Sequence, residues 1–139
     1  MFYMKQFNIN YNKVGKLGED IACRFLEKRF FKILNRNYRK NWGEIDIVAE
    51  NKDIIHFIEV KTVTRENFLD VSDETNSNFR PEDNVHPWKL KRLSRVIQTY
   101  LLDYKLDDKK EWQFDVVTVL LNQNSKEAKV KLLSNIIID

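Results

Sequence analysis

The densest chemistry in this sequence lies in the run Ile54-Ile-His-Phe-Ile-Glu-Val-Lys-Thr-Val63, apolar except for His56, Glu59, Lys61 and Thr62. Glu59 and Lys61 are two residues apart. In an extended strand they share a face, separated by roughly 6.6 Å of rise, while Ile58, Val60 and Thr62 take the other. An acid and a lysine on an interior strand are costly without partners. The ordinary alternative is a half-exposed strand whose wet face carries a Glu–Lys pair. Asp46 interrupts Ile45, Ile47 and Val48 in the same way. A hairpin between the two strands would bring Asp46 beside Glu59. Two adjacent carboxylates repel, which raises a pKa unless a cation sits between them. Oxygen ligands on rigid strands suit Mg²⁺, with Mn²⁺ as the alternative ion, because Mg²⁺ keeps several waters and takes few carboxylates. Glu19 is a third acid, at the border of a helical apolar stripe from which it could reach the sheet edge. Taken alone, Asp46 reads as an exposed strand position and Glu19 as a helix charge favoured by the dipole.

The elements that must position these groups follow from periodicity. Val14, Leu17, Ile21, Phe25 and Leu26 recur at helical steps, and Arg24, Lys28 and Arg29 load the end of that helix with positive charge. Strands are expected at Phe31 to Asn37, Glu44 to Glu50 and Ile54 to Val63, the last one central because it is the most apolar. Asn51-Lys-Asp53 is short enough to make the second and third strands an antiparallel hairpin. A second helix should start near Pro87, with Leu93, Val96, Ile97, Tyr100, Leu101 and Tyr104 as its buried stripe. Strands from Gln113 to Leu121 and from Lys129 to Ile138 complete the order α-β-β-β-α-β-β. This is an α/β chain with a mixed central sheet of about five strands flanked by helices. At 139 residues one domain is the expectation. Residues 1–12 read as a loose arm. The acidic stretch 65–85 reads as a long insert, which in a compact domain is usually functional.

Composition removes competing chemistries. One cysteine, Cys23, and two histidines exclude an internal disulfide framework and a zinc finger. Three glycines, Gly15, Gly18 and Gly43, match neither standard phosphate-cradling loop, and a nucleophile elbow is absent. Any catalysis must rest mainly on carboxylates and lysines, with a hard metal ion as an option. The start, Met1-Phe-Tyr-Met-Lys-Gln6, has no continuous apolar run, and no stretch approaches the ~20 residues of a membrane span. The expectation is a cytoplasmic protein with no membrane partner.

Several motifs then occur in order: Gly15-Lys-Leu-Gly-Glu-Asp-Ile-Ala22, Asn37-Tyr-Arg39, Gly43-Glu-Ile-Asp-Ile-Val48, Phe57-Ile-Glu-Val-Lys61, Lys89 and Phe114-Asp-Val-Val117. Over nearly its whole length the chain resembles the YraN family of predicted endonucleases. That family belongs to the restriction-endonuclease-like PD-(D/E)xK fold, which includes archaeal Holliday-junction resolvases. The resemblance implies that Asp46 and Glu59 bind Mg²⁺, that Lys61 is the catalytic lysine and that Glu19 orients water or a second ion. Lys89 would lie near a phosphate. Arg39 and Asp115 match positions of less defined role, and Asp115 reads equally as a structural anchor. The family's arginine after E-x-K is replaced by Thr62-Val63, and the one before Phe-Asp by Gln113. Relatives of this fold often act as dimers, so a homodimer is among the implied partners.

The net charge of +3 conceals two basic clusters. One runs from Arg24 through Lys28, Arg29, Lys32, Arg36 and Arg39 to Lys40. The other holds Lys89, Lys91, Arg92 and Arg95. Either cluster alone is commonly a solvated surface, but both beside carboxylates fit a nucleic-acid partner, DNA first. Arg39, Lys40, Lys89 and Arg92 are the expected phosphate contacts. Trp42 and Trp88 read as packing residues, Cys23 as a small buried hydrophobe, and His56 as a satisfied histidine on the face opposite Glu59. His86 is a loop residue able to contact phosphate. The leading expectation is Mg²⁺-dependent hydrolysis of DNA phosphodiesters, on branched or repair-related DNA. The alternatives are a non-catalytic nucleic-acid-binding module, a repair or recombination partner, and a scaffold whose basic face binds an acidic protein.

Overall fold

A computed structural model describes residues 2–5, 13–65, 87–106 and 108–136, with backbone alone at 2–5 and 87–89. The elements are β1 (Phe2–Lys5), α1 (Val14–Lys28), β2 (Lys32–Lys40), β3 (Gly43–Asn51), β4 (Ile54–Arg65), α2 (Pro87–Asp103), β5 (Trp112–Asn122) and β6 (Glu127–Leu133). The five expected strands and two helices stand in the expected order, and the sheet is mixed and flanked by helices. Its strand order is β1-β6-β5-β4-β3-β2. The β3–β4 pair is the expected antiparallel hairpin, and β4 is central. Beside it β5 runs parallel, reached by the crossover through α2, which a parallel pair requires.

Two apolar layers hold the sheet. Ile21, Ala22, Phe25 and Leu26 of α1 pack with Ile47, Ala49, Ile58, Val117, Val119 and Val130. Val96, Ile97 and Tyr100 of α2 pack with Ile45, Val48, Ile55, Phe57, Phe114 and Val116. Side chains of β4 alternate between the layers: Phe57 belongs to the α2 layer, Ile58 and Val60 to the α1 layer. That alternation makes β4 apolar nearly throughout, as a strand covered on both faces must be.

Three sequence expectations change. Residues 2–5 of the expected loose arm form β1, an edge strand paired with β6. Their alternation is too short to register as a strand, and pairing with β6 supplies what local pattern does not. Residues 6–12, and 66–85 of the expected insert, lie outside the described residues. The first expected strand continues past Asn37 to Lys40, because a bulge at Ile33/Asn35 and a positive φ of 53° at Asn37 bend it without ending its pairing. The last strand stops at Leu133 instead of Ile138. Asn135 turns at φ 57°, donates its amide to Asp115 Oδ1 at 2.8 Å, and Ile136 N donates to Phe114 O at 2.7 Å.

Candidate active site

Where β3 and β4 separate, three sequence-nominated acids come into electrostatic contact. The antiparallel ladder pairs Ile47 with Ile58 and ends there. One residue beyond, the Asp46 carboxylate replaces the backbone ladder: its Oδ2 accepts the Val60 amide at 2.8 Å. Burial nevertheless pushes the Asp46 carboxyl up to about 6 against the pull of that hydrogen bond, and the negative charges of Glu19, Glu59 and Glu44 add to the rise.

Glu19 reaches this point from α1. Burial raises its pKa, Arg36 opposes the rise, and Glu44 and Asp20 assist it. Its Oε1 is buried and accepts no hydrogen bond. An unpartnered buried carboxylate oxygen is expensive, and the charges of Glu44 and Asp20 add to that cost. On β4, Lys61 Nζ stands 3.4 Å from Glu59 Oε1, both side chains half-buried. The two share a face of the strand, as their spacing requires.

A hard divalent cation fits this donor set. Its charge would relieve the repulsion at Asp46, and a water of its shell would satisfy the orphaned Glu19 oxygen. Among the described residues, however, no three His, Cys, Asp or Glu side chains are gathered closely enough to hold a metal ion. The set of Asp46, Glu59 and Glu19 is therefore an electrostatic neighbourhood rather than a closed three-carboxylate cage. Mg²⁺ sites commonly use one or two carboxylates and keep several waters, so the donor set still suits that ion.

Two of the four expected phosphate contacts form ion pairs within the fold. Arg39 pairs with Glu44, Nη2 to Oε2 at 3.0 Å, and Lys40 Nζ with Asp103 Oδ2 at 3.0 Å. The Tyr38 hydroxyl also donates to Asp103. Arg92 is exposed on the first half of α2, and its Cβ lies against Gly43. The Lys89 side chain, Trp88 and His86 lie outside the described residues. Trp42 packs against the α2 layer, with the Arg95 guanidinium 4.3 Å from its ring centre.

Asp115 is not part of the acid neighbourhood. It is fully buried on β5, and its Oδ2 lies 2.5 Å from His56 Nδ1. Gln113, which replaces an expected arginine, donates to its Oδ1 at 2.7 Å. The structural reading of Asp115 and the satisfied reading of His56 both hold.

Two positioning residues are harder to see in the sequence. Arg36 pairs with Asp20 at 2.7 Å and places a positive charge near Glu19. Gly18 lets α1 lie directly on β4. A Cβ there would stand 1.8 Å from Thr62 Oγ1 and 2.9 Å from Thr62 Cβ and Cγ2. Rotating the threonine cannot clear all three atoms. Gly18→Ala is expected to destabilise the fold by about 2 kcal/mol through overpacking, despite alanine's better helix propensity. Thr62→Ala in the same chain should restore most of that loss. Urea unfolding of the four variants reads the coupling, and simple additivity would reject the contact. Nothing local in the sequence marks this approach, because Gly18 and Thr62 lie on different elements and meet only when α1 packs on β4.

The model of the uncharacterised protein family UPF0102 matches residues 18–119. A UPF0102 protein of Dictyoglomus turgidum is 35% identical over 128 residues, covering 91% of this chain and 98% of that protein. One from Dictyoglomus thermophilum is 38% identical over 119 residues, covering 85% and 91%. One from Clostridium botulinum strain 657 is 34% identical over 122 residues, covering 88% and 91%. Among solved structures, SfsA of Pyrococcus furiosus in complex with Ca²⁺ aligns with 96% of this chain and 68% of its own. At 14% identity and a TM-score of 0.39 that likeness carries no argument. With matches that span both the acid neighbourhood and the sheet, the chain belongs to the UPF0102 family, the YraN family that its motifs resemble.

Proposed function

We propose that this protein is a Mg²⁺-dependent endonuclease that hydrolyses DNA phosphodiester bonds. The observation that carries this reading is the buried, unpartnered Glu19 Oε1 in the same electrostatic neighbourhood as Asp46, whose carboxyl is pushed up to about 6. Such a cluster stores repulsion that a divalent cation releases, and it lies beside a lysine. The family resemblance of the E-x-K strand supports it.

Asp46 with Glu59 would hold the ion, and Glu19 would accept hydrogen bonds from water at its border. A bound Mg²⁺ supplies charge neutralisation at a phosphoryl oxygen and makes water more acidic. The chain's own residues do the rest. The Asp46 carboxylate is fixed by the Val60 amide, so it does not reorganise during reaction. Lys61, anchored by Glu59, directs its ammonium hydrogens toward developing negative charge. Arg92, on the first half of α2, holds an adjacent phosphate.

The test is cleavage of supercoiled plasmid and of branched DNA in Mg²⁺ by wild type and Glu59→Ala. Cleavage by wild type and its loss in the variant are expected; equal activity in both rejects the mechanism. One observation favours a second reading, a nucleic-acid-binding module without catalysis: no three acids are gathered among the described residues. DNA binding with no Mg²⁺ heat in calorimetry would select it.

A further inference from the structure

We propose that the outer face of α1 is a track for an unpaired DNA strand, and that Phe30 at its end stacks on a base of that strand. The proposal rests on the nuclease reading for the identity of the polymer. Its starting point is a side chain that the fold does not explain. Phe30 is 90% exposed, the most exposed large hydrophobic among the described residues. It also has a φ of 68°. The hydrogen bonds Phe30 N to Glu27 O and Phe31 N to Leu26 O, both 3.0 Å, close α1 in the pattern whose left-handed residue is usually glycine. A phenylalanine there carries backbone strain and gains no burial. Phe31 does the packing instead, against the α1 layer and edge-on to His56 at 4.8 Å.

The approach to Phe30 is basic. Lys16, Arg24 and Lys28 are exposed and lie along one row of α1, at spacings of whole four-residue steps. The acid in that row, Asp20, is neutralised by Arg36 at 2.7 Å. Arg29 is fixed with its guanidinium 4.4 Å from the Phe25 ring centre, and Lys32 is exposed just beyond. Cations at a helix C-terminus complement the dipole, which accounts for Lys28 and Arg29 but not for an exposed aromatic. Glu19 of the acid neighbourhood and Phe30 are eleven residues apart on this element, or about 16 Å of helix rise. That span equals about five nucleotides of a stacked strand. The aromatic selects unpaired DNA, because the base faces of a duplex are already covered.

The test is fluorescence anisotropy in EDTA, with a labelled oligothymidylate of about 20 nucleotides and a duplex of equal length. Wild type, Phe30→Ala and Phe30→Gly are compared. Both Phe30 variants are expected to bind the single strand about tenfold more weakly and the duplex as wild type does. Phe30→Gly should keep or raise the melting temperature, since glycine suits that φ, so its loss of affinity is not a loss of fold. Unchanged single-strand affinity in both Phe30 variants overturns the proposal, as does an equal loss on single strand and duplex. So does absence of single-strand binding by wild type, which would leave an acidic protein as the partner for this face. The plasmid comparison with Glu59→Ala decides the nuclease reading separately.

Discussion

Asp115→Ala is expected to cost about 3–5 kcal/mol of folding stability. Asp115 is fully buried and gathers three contacts: His56 Nδ1 at 2.5 Å, Gln113 Nε2 at 2.7 Å and the Asn135 amide at 2.8 Å. Alanine leaves a buried imidazole without its acceptor, at the full desolvation penalty, and releases the amide of the exposed Asn135 from the carboxylate that holds it. It also frees the segment after β6, which crosses β5 at Asp115 and at Phe114 O. Asp115→Asn keeps an acceptor oxygen and should lose only about 1–2 kcal/mol. Urea unfolding reads both values. Cleavage per folded molecule should not change, because the Asp115 carboxylate is engaged by His56, Gln113 and the Asn135 amide rather than by Glu19, Asp46 or Glu59. A loss below about 1 kcal/mol for Asp115→Ala would show that the network does not hold the C-terminal segment.

Asp115 also shows where sequence reasoning stops. Its place in Phe114-Asp-Val-Val117 marks it as unusual within an apolar strand, but the residues that satisfy it lie on β4 and beyond β6. Long-range partners leave no local pattern. The same limit applies to β1, whose four residues become a strand only by pairing with β6. What depends on period two or period 3.6 was legible: the Glu59–Lys61 face, the β3–β4 hairpin and the stripes of α1 and α2 all follow from spacing. The approach of Asp46 to Glu59 was legible because a short turn fixes the hairpin register. The basic clusters were legible as charge and misleading as surface. Arg36, Arg39 and Lys40 are paired with Asp20, Glu44 and Asp103, which sit on α1, β3 and α2. Exposed pairs of this kind add little stability, but they set these three side chains against carboxylates on neighbouring elements, which a count of charges along the chain does not reveal.

The Asp46 carboxylate should make this protein less stable above about pH 6 than near pH 4. Its pKa rises from 3.8 to about 6 on folding, mainly through burial. Between those values the native state binds more protons than the unfolded state, so stability falls as pH rises through that window. Above about pH 6 the full penalty applies, on the order of 3 kcal/mol. Asp46→Asn removes the charge while its amide oxygen can still accept the Val60 hydrogen bond. The variant should therefore be more stable than wild type at pH 8 and equal to it near pH 4, where the acid is largely protonated in the fold. Mg²⁺ should raise the melting temperature of wild type at pH 8, much less at pH 5, and not at all in Asp46→Asn. Cleavage by the variant should fall at least about 100-fold, since the ion's anchoring charge is gone. Melting curves across pH, with and without Mg²⁺, read the stability terms without depending on turnover. A wild-type stability that is flat from pH 4 to 7, with no gain in Asp46→Asn, would show that the carboxylate is not desolvated. A Mg²⁺ response that survives in Asp46→Asn would place the ion elsewhere. The expected result is a site whose electrostatic strain lowers folding stability in the absence of the ion and is released when a cation binds.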